Sequence, residues 1–232
     1  MKYAILAAGL GSRLVQEGAT SPKPLIQVGG ESLIDRLLRV FMTNDATEIA
    51  VICNPQMTAV AAYLETIQKR GDIPLHFLVR STPSSMHSLW ELRYWLNEAP
   101  FILTTVDTIF QEQDFKAYVQ AFSQTTADGL MGVTDYIDDE RPLYVSTDAS
   151  LQIMDFTDTS DHPHYVSAGI YGLTPLCFET LGRCIERGEQ RMRNFQRALV
   201  ADGLKLQAWP FSKVFDIDHV SDIRKAERFL SA

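Results

Sequence analysis

Residues 3–13 read YAILAAGLGSR, an apolar run that passes directly into two glycines and an arginine. The run Tyr3–Ala7 predicts a short buried strand, because parallel strands that are covered on both faces are continuously apolar. Gly9 and Gly11 permit the backbone conformations of a tight turn and let backbone N–H groups approach an anion with no Cβ in the way. Arg13 adds a forked donor that can bind two phosphate oxygens. The stretch therefore predicts a strand that ends in a phosphate-binding loop.

A lysine between two prolines, Pro22-Lys23-Pro24, follows this loop. Proline fixes φ, so the two rings keep the segment rigid around the compact positive charge of Lys23. The glycine spacing matches neither the GxGxxG nor the GxxxxGK[ST] phosphate-binding pattern. A Gly-rich turn with surface cations is the alternative for the loop taken alone, and the nearby Lys23 argues against it.

Apolar runs and helical periodicities alternate through the first half of the chain. This alternation predicts βα units, and parallel neighbours joined by long crossovers form a doubly wound sheet whose ligands bind beyond the carboxyl ends of the strands. The predicted strands are 3–7, 48–53, 75–79 and 101–106, and the predicted helices are 33–41, 58–69, 84–96 and 112–123.

The pattern changes in the second half, where apolar runs with short connections predict antiparallel additions to the sheet. We predict a single α/β domain over residues 1–232, with a mostly parallel, doubly wound sheet flanked by helices. The polar stretch 155–161 is predicted to be a loop or turn. The later predicted strands are 129–134, 143–147, 151–156, 165–173 and 205–209, and the later helices are 175–186, 191–202 and 221–230.

Charge and composition restrict the possible partners. The formal net charge of −8 argues against broad electrostatic capture of nucleic acid or of an anionic membrane. The N-terminal apolar run is too short for a signal peptide, and no run approaches the roughly 20 apolar residues of a membrane span. Cys53, Cys177 and Cys184 follow no metal-ligand or CxxC spacing, so we expect buried thiols. We expect a cytoplasmic protein without a nucleic-acid or membrane partner.

Three aspartates are candidate metal ligands. Asp107 follows the predicted strand 101–106 at the mouth of the sheet, and Asp216 and Asp218 lie in the late segment 214–219. Residues two apart on an extended strand face the same side. Two carboxylates suit Mg²⁺, which completes its shell with water and phosphate oxygens. From the residues alone we expect Asp107 and one aspartate of the late segment, Asp216 or Asp218, to bind Mg²⁺; a cap or turn aspartate is the alternative for Asp107.

The motifs AILAAGLGSRL at 4–14 and PKPLIQVGGESLI at 22–34 resemble the signature of the sugar-phosphate nucleotidyltransferase family, and later landmarks appear in the same order. The resemblance covers essentially the whole chain. It implies a Rossmann-like α/β fold and attack of a substrate phosphate on the α-phosphate of an NTP. By this resemblance Lys23 contacts phosphates near the reacting centre, and the nucleotide-binding residues of the loop are Ala7, Ala8, Gly9, Gly11, Ser12 and Arg13.

The same resemblance assigns the remaining site residues. Asp107 matches the aspartate after the fourth strand, and Asp218 matches that of a late (E/W)xD landmark. The resemblance thus implies Asp107 and Asp218 as the Mg²⁺ ligands, with Asp216 as the competitor of Asp218. The region around Ser88 meets the nucleobase, with a helix-capping serine cluster as the alternative. The segment 165–171 resembles the acceptor-side landmark, which assigns acceptor contacts to Ser167, Gly169 and Tyr171; a β-bulge is the alternative for Gly169.

Two departures from the family pattern concern the substrate. Val106 stands where a glycine is common, and no Glu-Lys-Pro stretch occurs near 154–158. The second departure leaves choline phosphate, a polyol phosphate or an unusual sugar open as acceptor.

We expect a Mg²⁺-dependent nucleotidyltransferase that transfers an NMP group from an NTP to a phosphorylated small molecule, most readily a sugar 1-phosphate, and releases pyrophosphate. Residues 1–125 would mainly bind the nucleotide, and residues 126–232 would mainly bind the acceptor and supply the second metal ligand. The alternatives are a cytidylyltransferase acting on phosphocholine or a polyol phosphate, and a nucleotide-binding regulatory subunit without catalysis. A homo-oligomer is possible.

Overall fold

A computed structural model describes residues 1–138 and 140–231 of the chain. A nine-stranded mixed sheet lies at its centre, and helices cover both faces. The strands are β1 (Lys2–Ala7), β2 (Gln27–Val28), β3 (Glu31–Ser32), β4 (Glu48–Cys53), β5 (Leu75–Val79), β6 (Phe101–Thr105), β7 (Thr108–Ile109), β8 (Gly129–Thr134), β9 (Tyr144–Thr147), β10 (Ile153–Thr157), β11 (Tyr165–Leu173), β12 (Leu206–Pro210) and β13 (Phe215–Asp216).

The helices follow the strands in an order that is typical of α/β proteins. A single 3₁₀ turn, Lys23–Leu25, precedes the first long helix. The α-helices are α1 (Ser12–Gln16), α2 (Leu33–Thr43), α3 (Thr58–Arg70), α4 (Ser85–Leu96), α5 (Glu112–Gln124), α6 (Cys177–Glu186), α7 (Met192–Ala201) and α8 (Val220–Leu230).

Four parallel strands form one side of the sheet, in the spatial order β5-β4-β1-β6. The chain builds outward from β1 through β4 to β5 and then returns to the other side of β1 to form β6. At this reversal the loops after β1 and β6 leave the sheet in different directions, and a crevice opens between them. The doubly wound fold predicted from the alternating pattern is confirmed.

The second half extends this sheet with antiparallel strands, as predicted. β11 runs antiparallel to β6, and it also pairs with β8 and β9. β12 returns to parallel pairing alongside β8. The register of β11 against β8 shifts between Ser167 and Tyr171, and Gly169 within this bulge has a φ of 71°. Because β11 pairs with β6, the two halves of the chain share one sheet.

The core lies on both faces of the sheet because successive side chains of a strand point to opposite sides. In β1, Tyr3 and Ile5 face one apolar cluster with helices α2, α3 and α5, whereas Ala4 and Leu6 face a second cluster with α4, α6 and α7. The Tyr3 ring stacks on Phe41 with 4.3 Å between centroids. β1 is therefore held from both sides, which fixes the point at which the Gly-rich loop begins.

Several predicted boundaries agree with the structure to the residue, namely 48–53, 75–79, 129–134 and 165–173. The prediction of a loop at 155–161 was wrong for its first three residues, because β10 continues to Thr157, with Phe156 buried, after a register shift between Ile153 and Asp155. The predicted strand 151–156 begins only at Ile153, and the strand before Asp107 ends at Thr105.

All three cysteines are free and buried, which confirms their predicted environment. Burial raises the pKa of Cys53 and of Cys184 to about 11, so both thiols are protonated at neutral pH. Among the described residues, no helix combines the length and apolar character needed to cross a bilayer.

Tyr118 of α5 provides a test of this core. Its side chain is fully buried, and its hydroxyl donates a hydrogen bond to the carbonyl oxygen of Leu130 in β8 at 2.7 Å. We expect Tyr118→Phe to lower the free energy of unfolding by about 1–2 kcal/mol, because the carbonyl loses its buried donor. Urea unfolding measures the change. Tyr94→Phe is the matched control, since Tyr94 is 80% exposed; equal stability of the two variants would contradict the assigned hydrogen bond.

Candidate active site

Two neighbouring cavities open at the carboxyl edge of β1 and β6. The first, which we call the nucleotide cavity, measures about 350 Å³ and lies between the Gly-rich loop, the Ser-rich loop before α4 and the end of β6. It is lined by Leu6, Ala8, Gly9, Gly11, Lys23, Thr82, Pro83, Ser84, Ser85, Ser88, Thr105, Val106, Asp107 and Asp216. The loops that follow the first, third and fourth predicted strands therefore meet in this cavity.

The Gly-rich loop requires glycine at Gly11 for two reasons. Its φ is +61°, in the left-handed region, and a Cβ at this position would lie 3.1 Å from Cβ of Lys23. Gly9, in contrast, has no atom within 4 Å of the position that a Cβ would take. The loop backbone is therefore packed against Lys23 on one side and open toward the cavity on the other, as an anion-binding loop must be.

Lys23 lies between two aspartates that are far apart in sequence. Its side chain is almost buried and forms ion pairs with Asp107 and with Asp218, whose Oδ1 lies 3.0 Å from Nζ. Burial opposes the charge of Lys23 most strongly, but the two carboxylates together outweigh burial and raise the pKa above its ordinary value. Lys23 thus stays positively charged at neutral pH.

Asp216 brings a third carboxylate to the same place. The two-residue strands β7 and β13 pair Asp216 with Thr108, and the backbone N–H of Ile217 donates to the carbonyl oxygen of Asp107 at 3.1 Å. Desolvation at the base of the cleft, followed by the charge of Asp107, raises the pKa of Asp216 well above its ordinary value. Within the described part of the chain, Asp216 forms no ion pair.

The chemistry of these oxygens fits a hard divalent cation. Asp107 and Asp218 already reach one positive charge, the ammonium of Lys23, and Asp216 and Asp107 are like charges whose repulsion a cation would relieve. Residues 1–138 and 140–231 contain no group of three or more His, Cys, Asp or Glu side chains arranged around a metal position. This finding is compatible with Mg²⁺, which is commonly bound by one or two carboxylates together with phosphate oxygens and water.

The second cavity, which we call the acceptor cavity, measures about 290 Å³ and adjoins the first. Asp216 lines both cavities, so it marks the place where two ligands would meet. The acceptor cavity is lined by Arg13, Thr134, Tyr136, Asp138, Glu140, Val166, Ser167, Ala168, Val214, Phe215, Asp216, Asp218, His219 and Asp222.

Arg13 lies at the border of the acceptor cavity. Its guanidinium contacts Asp218 through Nη1 and Glu140 through Nη2, each at 3.3 Å. The side chain is half-exposed and is held by these two carboxylates. Ser12, Gly11 and Lys23 border a smaller recess beside it. Arg13 therefore lines the acceptor cavity and this recess, whereas the predicted loop residues that line the nucleotide cavity itself are Ala8, Gly9 and Gly11.

The Ser-rich loop forms the wall opposite the Gly-rich loop. Ser88 is buried in this wall, and its hydroxyl lies 2.6 Å from that of Thr82. Ser84 stands at the N-terminus of α4 but makes no capping hydrogen bond, since its hydroxyl contacts Nδ1 of His87. The hydroxyls of this loop thus face the nucleotide cavity or each other, and the helix-capping alternative does not describe Ser84.

Of the three predicted acceptor residues, Ser167 lines the acceptor cavity, and Gly169 and Tyr171 lie outside its lining. Ser167 lines the acceptor cavity, and its hydroxyl donates to Oε1 of Gln196 at 2.9 Å. Tyr171 is buried behind it, where its hydroxyl accepts from Nε2 of Gln196 at 3.5 Å. Gly169 lies in the bulge of β11 and faces Thr108, which fits the bulge alternative.

Sequence reasoning missed several residues of the acceptor cavity. Tyr136, Asp138 and Glu140 follow directly after β8, so the acidic run after a predicted strand was a usable signal. His219 and Asp222 form a capping box at the start of α8, and Nδ1 of His219 lies 2.6 Å from Oε1 of Glu17. Hydrogen bonding to Glu17 is the main cause of the raised pKa of His219. These contacts hold the segment that carries Asp216 and Asp218.

Comparisons with known proteins agree with this geometry. A glucose-1-phosphate cytidylyltransferase of Salmonella typhimurium is 22% identical over 162 residues, covering 69% of this chain and 55% of that protein. A CMP-5'-(3-aminopropyl)phosphonate synthase of Streptomyces rubellomurinus is 22% identical over 98% of this chain and 38% of its own length. The chain thus spans about half or less of the length of these curated relatives.

A crystal structure assigned as a glucose-1-phosphate thymidylyltransferase of Bacillus anthracis superposes with a TM-score of 0.85 at 22% identity, covering 99% of this chain and 94% of that one. This likeness confirms the Rossmann-like fold that the sequence motifs implied. A sequence model of the nucleotidyl transferase family matches residues 2–232. The chain therefore belongs to the nucleotidyl transferase family.

Proposed function

We propose that this chain transfers an NMP group from an NTP to a phosphorylated small molecule, releases pyrophosphate and requires Mg²⁺. The observation that supports this proposal best is that two cavities share the carboxylate of Asp216, with Lys23, Asp107 and Asp218 beside it. A transfer reaction needs two ligands whose reacting atoms meet, and the border between the cavities is such a place.

In the proposed reaction the NTP lies in the nucleotide cavity with its phosphates on the loop of Gly9 and Gly11. An oxygen of the acceptor phosphate attacks the α-phosphorus and forms a new phosphoanhydride bond. The bond from the α-phosphorus to the oxygen that bridges to the β-phosphate breaks, and pyrophosphate carries the electron pair away. The acceptor phosphate is already a nucleophile, so no covalent intermediate with the protein is needed.

Charge at the reacting centre is the main demand of phosphoryl chemistry. Lys23 places a positive charge beside Asp107, and Arg13 places a second one beside Asp218. Both can turn from the carboxylates to phosphate oxygens as these bind. Asp107 with Asp218, or with Asp216 as the competitor, would bind Mg²⁺, and the ion would supply positive charge to stabilise the charged phosphates.

The nucleotide cavity must select the base of the NTP, and the acceptor cavity must select the acceptor. Hydroxyls of Thr82, Ser84 and Ser88 in the Ser-rich loop are available for the edge of a base. The named relatives act on a sugar phosphate or yield a CMP-linked aminoalkylphosphonate, so the acceptor differs within the family. A sugar 1-phosphate is the first candidate, and phosphocholine or a polyol phosphate is the second.

A screen of pyrophosphate release tests this function. Four NTPs are combined, with Mg²⁺, with sugar 1-phosphates, phosphocholine and inositol phosphate. We expect turnover with at least one pair, which names both substrates. Nucleotide binding without pyrophosphate release from any pair would instead favour a regulatory subunit without catalysis.

Substitution of the carboxylates distinguishes the metal ligands. We expect Asp107→Asn and Asp218→Asn to reduce turnover by about 10²-fold or more and to raise the Mg²⁺ concentration needed for half-maximal rate, because each removes an anionic ligand. Asp216→Asn is compared in the same titration. If only Asp216→Asn shifts the Mg²⁺ requirement, Asp216 rather than Asp218 is the second ligand; if none of the three does, the metal site is wrong.

Removal of Lys23 has two expected effects. Lys23→Ala should lower turnover by about 10²-fold, since it deletes a buried positive charge next to the phosphates. It also leaves Asp107 and Asp218 without their counter-charge, so Mg²⁺ should raise the melting temperature of Lys23→Ala more than that of the unchanged protein. Lys69→Ala, on the exposed side of α3, is the control. Turnover within threefold of the unchanged protein would contradict the proposed position of the phosphates.

A further inference from the structure

A groove along α8 carries a charge opposite to that of the whole protein. It measures about 780 Å³ and shares no lining residue with the nucleotide cavity or the acceptor cavity. Within the described part of the chain it is lined by four cations, Lys213, Arg224, Lys225 and Arg228, and by no carboxylate, although the formal net charge of the protein is −8. We propose that this α8 groove binds a polyphosphate group, either free pyrophosphate or the phosphate chain of a nucleotide.

The acidic residues of α8 do not neutralise this groove. The carboxylate of Asp222 accepts the backbone N–H groups of residues 218 and 219 at 3.1 and 2.8 Å, so it is directed toward the start of the helix. The carboxylate of Glu227 accepts the backbone N–H of Gly29 at 3.3 Å, in the turn between β2 and β3. Both negative charges of α8 are therefore used elsewhere, and the face that lines the groove carries cations.

Two of the four cations lack an opposite charge in the protein. Arg224 and Arg228 are exposed, and across residues 1–138 and 140–231 neither side chain forms an ion pair. They are four positions apart on the helix, where like charges repel each other. A favourable interaction with the helix dipole accounts for Arg228, which lies in the last turn, but not for Arg224 in the middle of the helix. An anion bound between the two guanidinium groups would relieve their repulsion.

The two lysines of the groove are positioned by aromatic rings. Nζ of Lys213 lies 4.0 Å from the centroid of Tyr136, and Nζ of Lys225 lies 4.4 Å from that of Phe215. A ring face attracts a cation through its quadrupole, so it orients the ammonium without cancelling its charge. Lys213 belongs to the segment between β12 and β13 rather than to α8. The positive charge of the groove is therefore assembled from two segments and is not a property of one helix face.

Four cations suit a polyphosphate better than a smaller anion. A guanidinium can bind two phosphate oxygens at once, and an ammonium binds as a compact point charge. A carboxylate offers two oxygens and a single negative charge, which one arginine can satisfy. Pyrophosphate and the phosphate chain of a nucleotide carry several charges and more oxygens, so they can contact both arginines and both lysines together. The proposed reaction involves both sources of this group, one as the donor and the other as the leaving group.

Lys225 connects the α8 groove with the acceptor cavity. Its ammonium forms an ion pair with Asp138, which lines that cavity and accepts a hydrogen bond from the hydroxyl of Tyr136 at 3.3 Å. A polyphosphate in the groove would attract Lys225 and leave the charge of Asp138 uncompensated on the acceptor side. Resting on the proposed function, this contact makes the polyphosphate an inhibitor, because a phosphorylated acceptor would bind more weakly beside the free carboxylate. By linkage the acceptor would weaken polyphosphate binding by the same factor.

Calorimetric titration of pyrophosphate, and separately of ATP, into the protein in EDTA tests the site without turnover. We expect binding that the double variant Arg224→Gln, Arg228→Gln weakens by about tenfold or more, since two charge-assisted contacts are lost. Lys69→Gln, Arg70→Gln on the exposed surface of α3 changes the net charge equally and should leave the affinity unchanged. A loss for pyrophosphate alone identifies the free anion as the ligand, and a loss for ATP identifies the phosphate chain of a nucleotide. Binding at the proposed active site is recognised by its loss in Lys23→Ala. Absence of binding, or equal affinities of the two double variants, overturns the inference.

Steady-state kinetics test the effect on the acceptor. With an active pair of substrates and Mg²⁺, formation of the nucleotide-linked product is followed by chromatography while pyrophosphate is added. We expect the KM for the acceptor to rise about fivefold in the unchanged protein, as in a typical coupling between two sites, and to stay constant in Arg224→Gln, Arg228→Gln. An equal rise in both proteins overturns the coupling. Silence with every pair of substrates overturns the proposed function and the inhibition together, whereas the calorimetric titration still decides the polyphosphate site.

Discussion

The ammonium of Lys23, placed between the carboxylates of Asp107 and Asp218, is the interaction on which the rest of the site depends. A buried charge is stable only when opposite charges compensate it. The three residues come from the turn after the Gly-rich loop, from the end of β6 and from the segment before α8. Their meeting therefore requires both halves of the chain to be in place, and it fixes the Gly-rich loop through the close contact of Gly11 with the stem of Lys23.

The sheet explains why these segments meet at one edge. Parallel strands deliver their carboxyl ends to the same side, and the reversal of order at β1 opens a crevice there. The antiparallel strand β11 then closes the crevice on the far side of β6 and brings Ser167 to the acceptor cavity. The joining of a parallel and an antiparallel half in one sheet therefore produces two cavities with Asp216 between them. The parallel half supplies most of the nucleotide cavity, and the antiparallel half supplies most of the acceptor cavity.

Sequence reasoning was accurate where a segment had a strong local signal. Short apolar runs such as 48–53 and 75–79 predict strands at that length, and their bounds were predicted to the residue. The phosphate loop and Lys23 were found because glycine and proline carry conformational information of their own. Family membership followed from these motifs, and the match over residues 2–232 confirms it.

The rest of the site could not be predicted because it depends on contacts between distant segments. Strands β7 and β13 have two residues each, which is too short for any periodicity, yet they place Asp216 beside Asp107. The bulge at Gly169 is a property of the pairing between β11 and β8 rather than of the residue. The acidic run after β8 includes Glu140, but the run alone does not show that Glu140 pairs with Arg13.

The separation of these contacts along the chain has a consequence for folding kinetics. Arg13 and Glu17 reach residues 218 and 219 across 205 and 202 positions, so the loops that these contacts close are nearly as long as the protein. Contacts of such separation form late, after local helices and hairpins. A ligand that bridges the Gly-rich loop and the last aspartates binds only the completed fold. Such a ligand therefore stabilises the contacts between the Gly-rich loop and the segment 216–219, and it slows the local opening of this region.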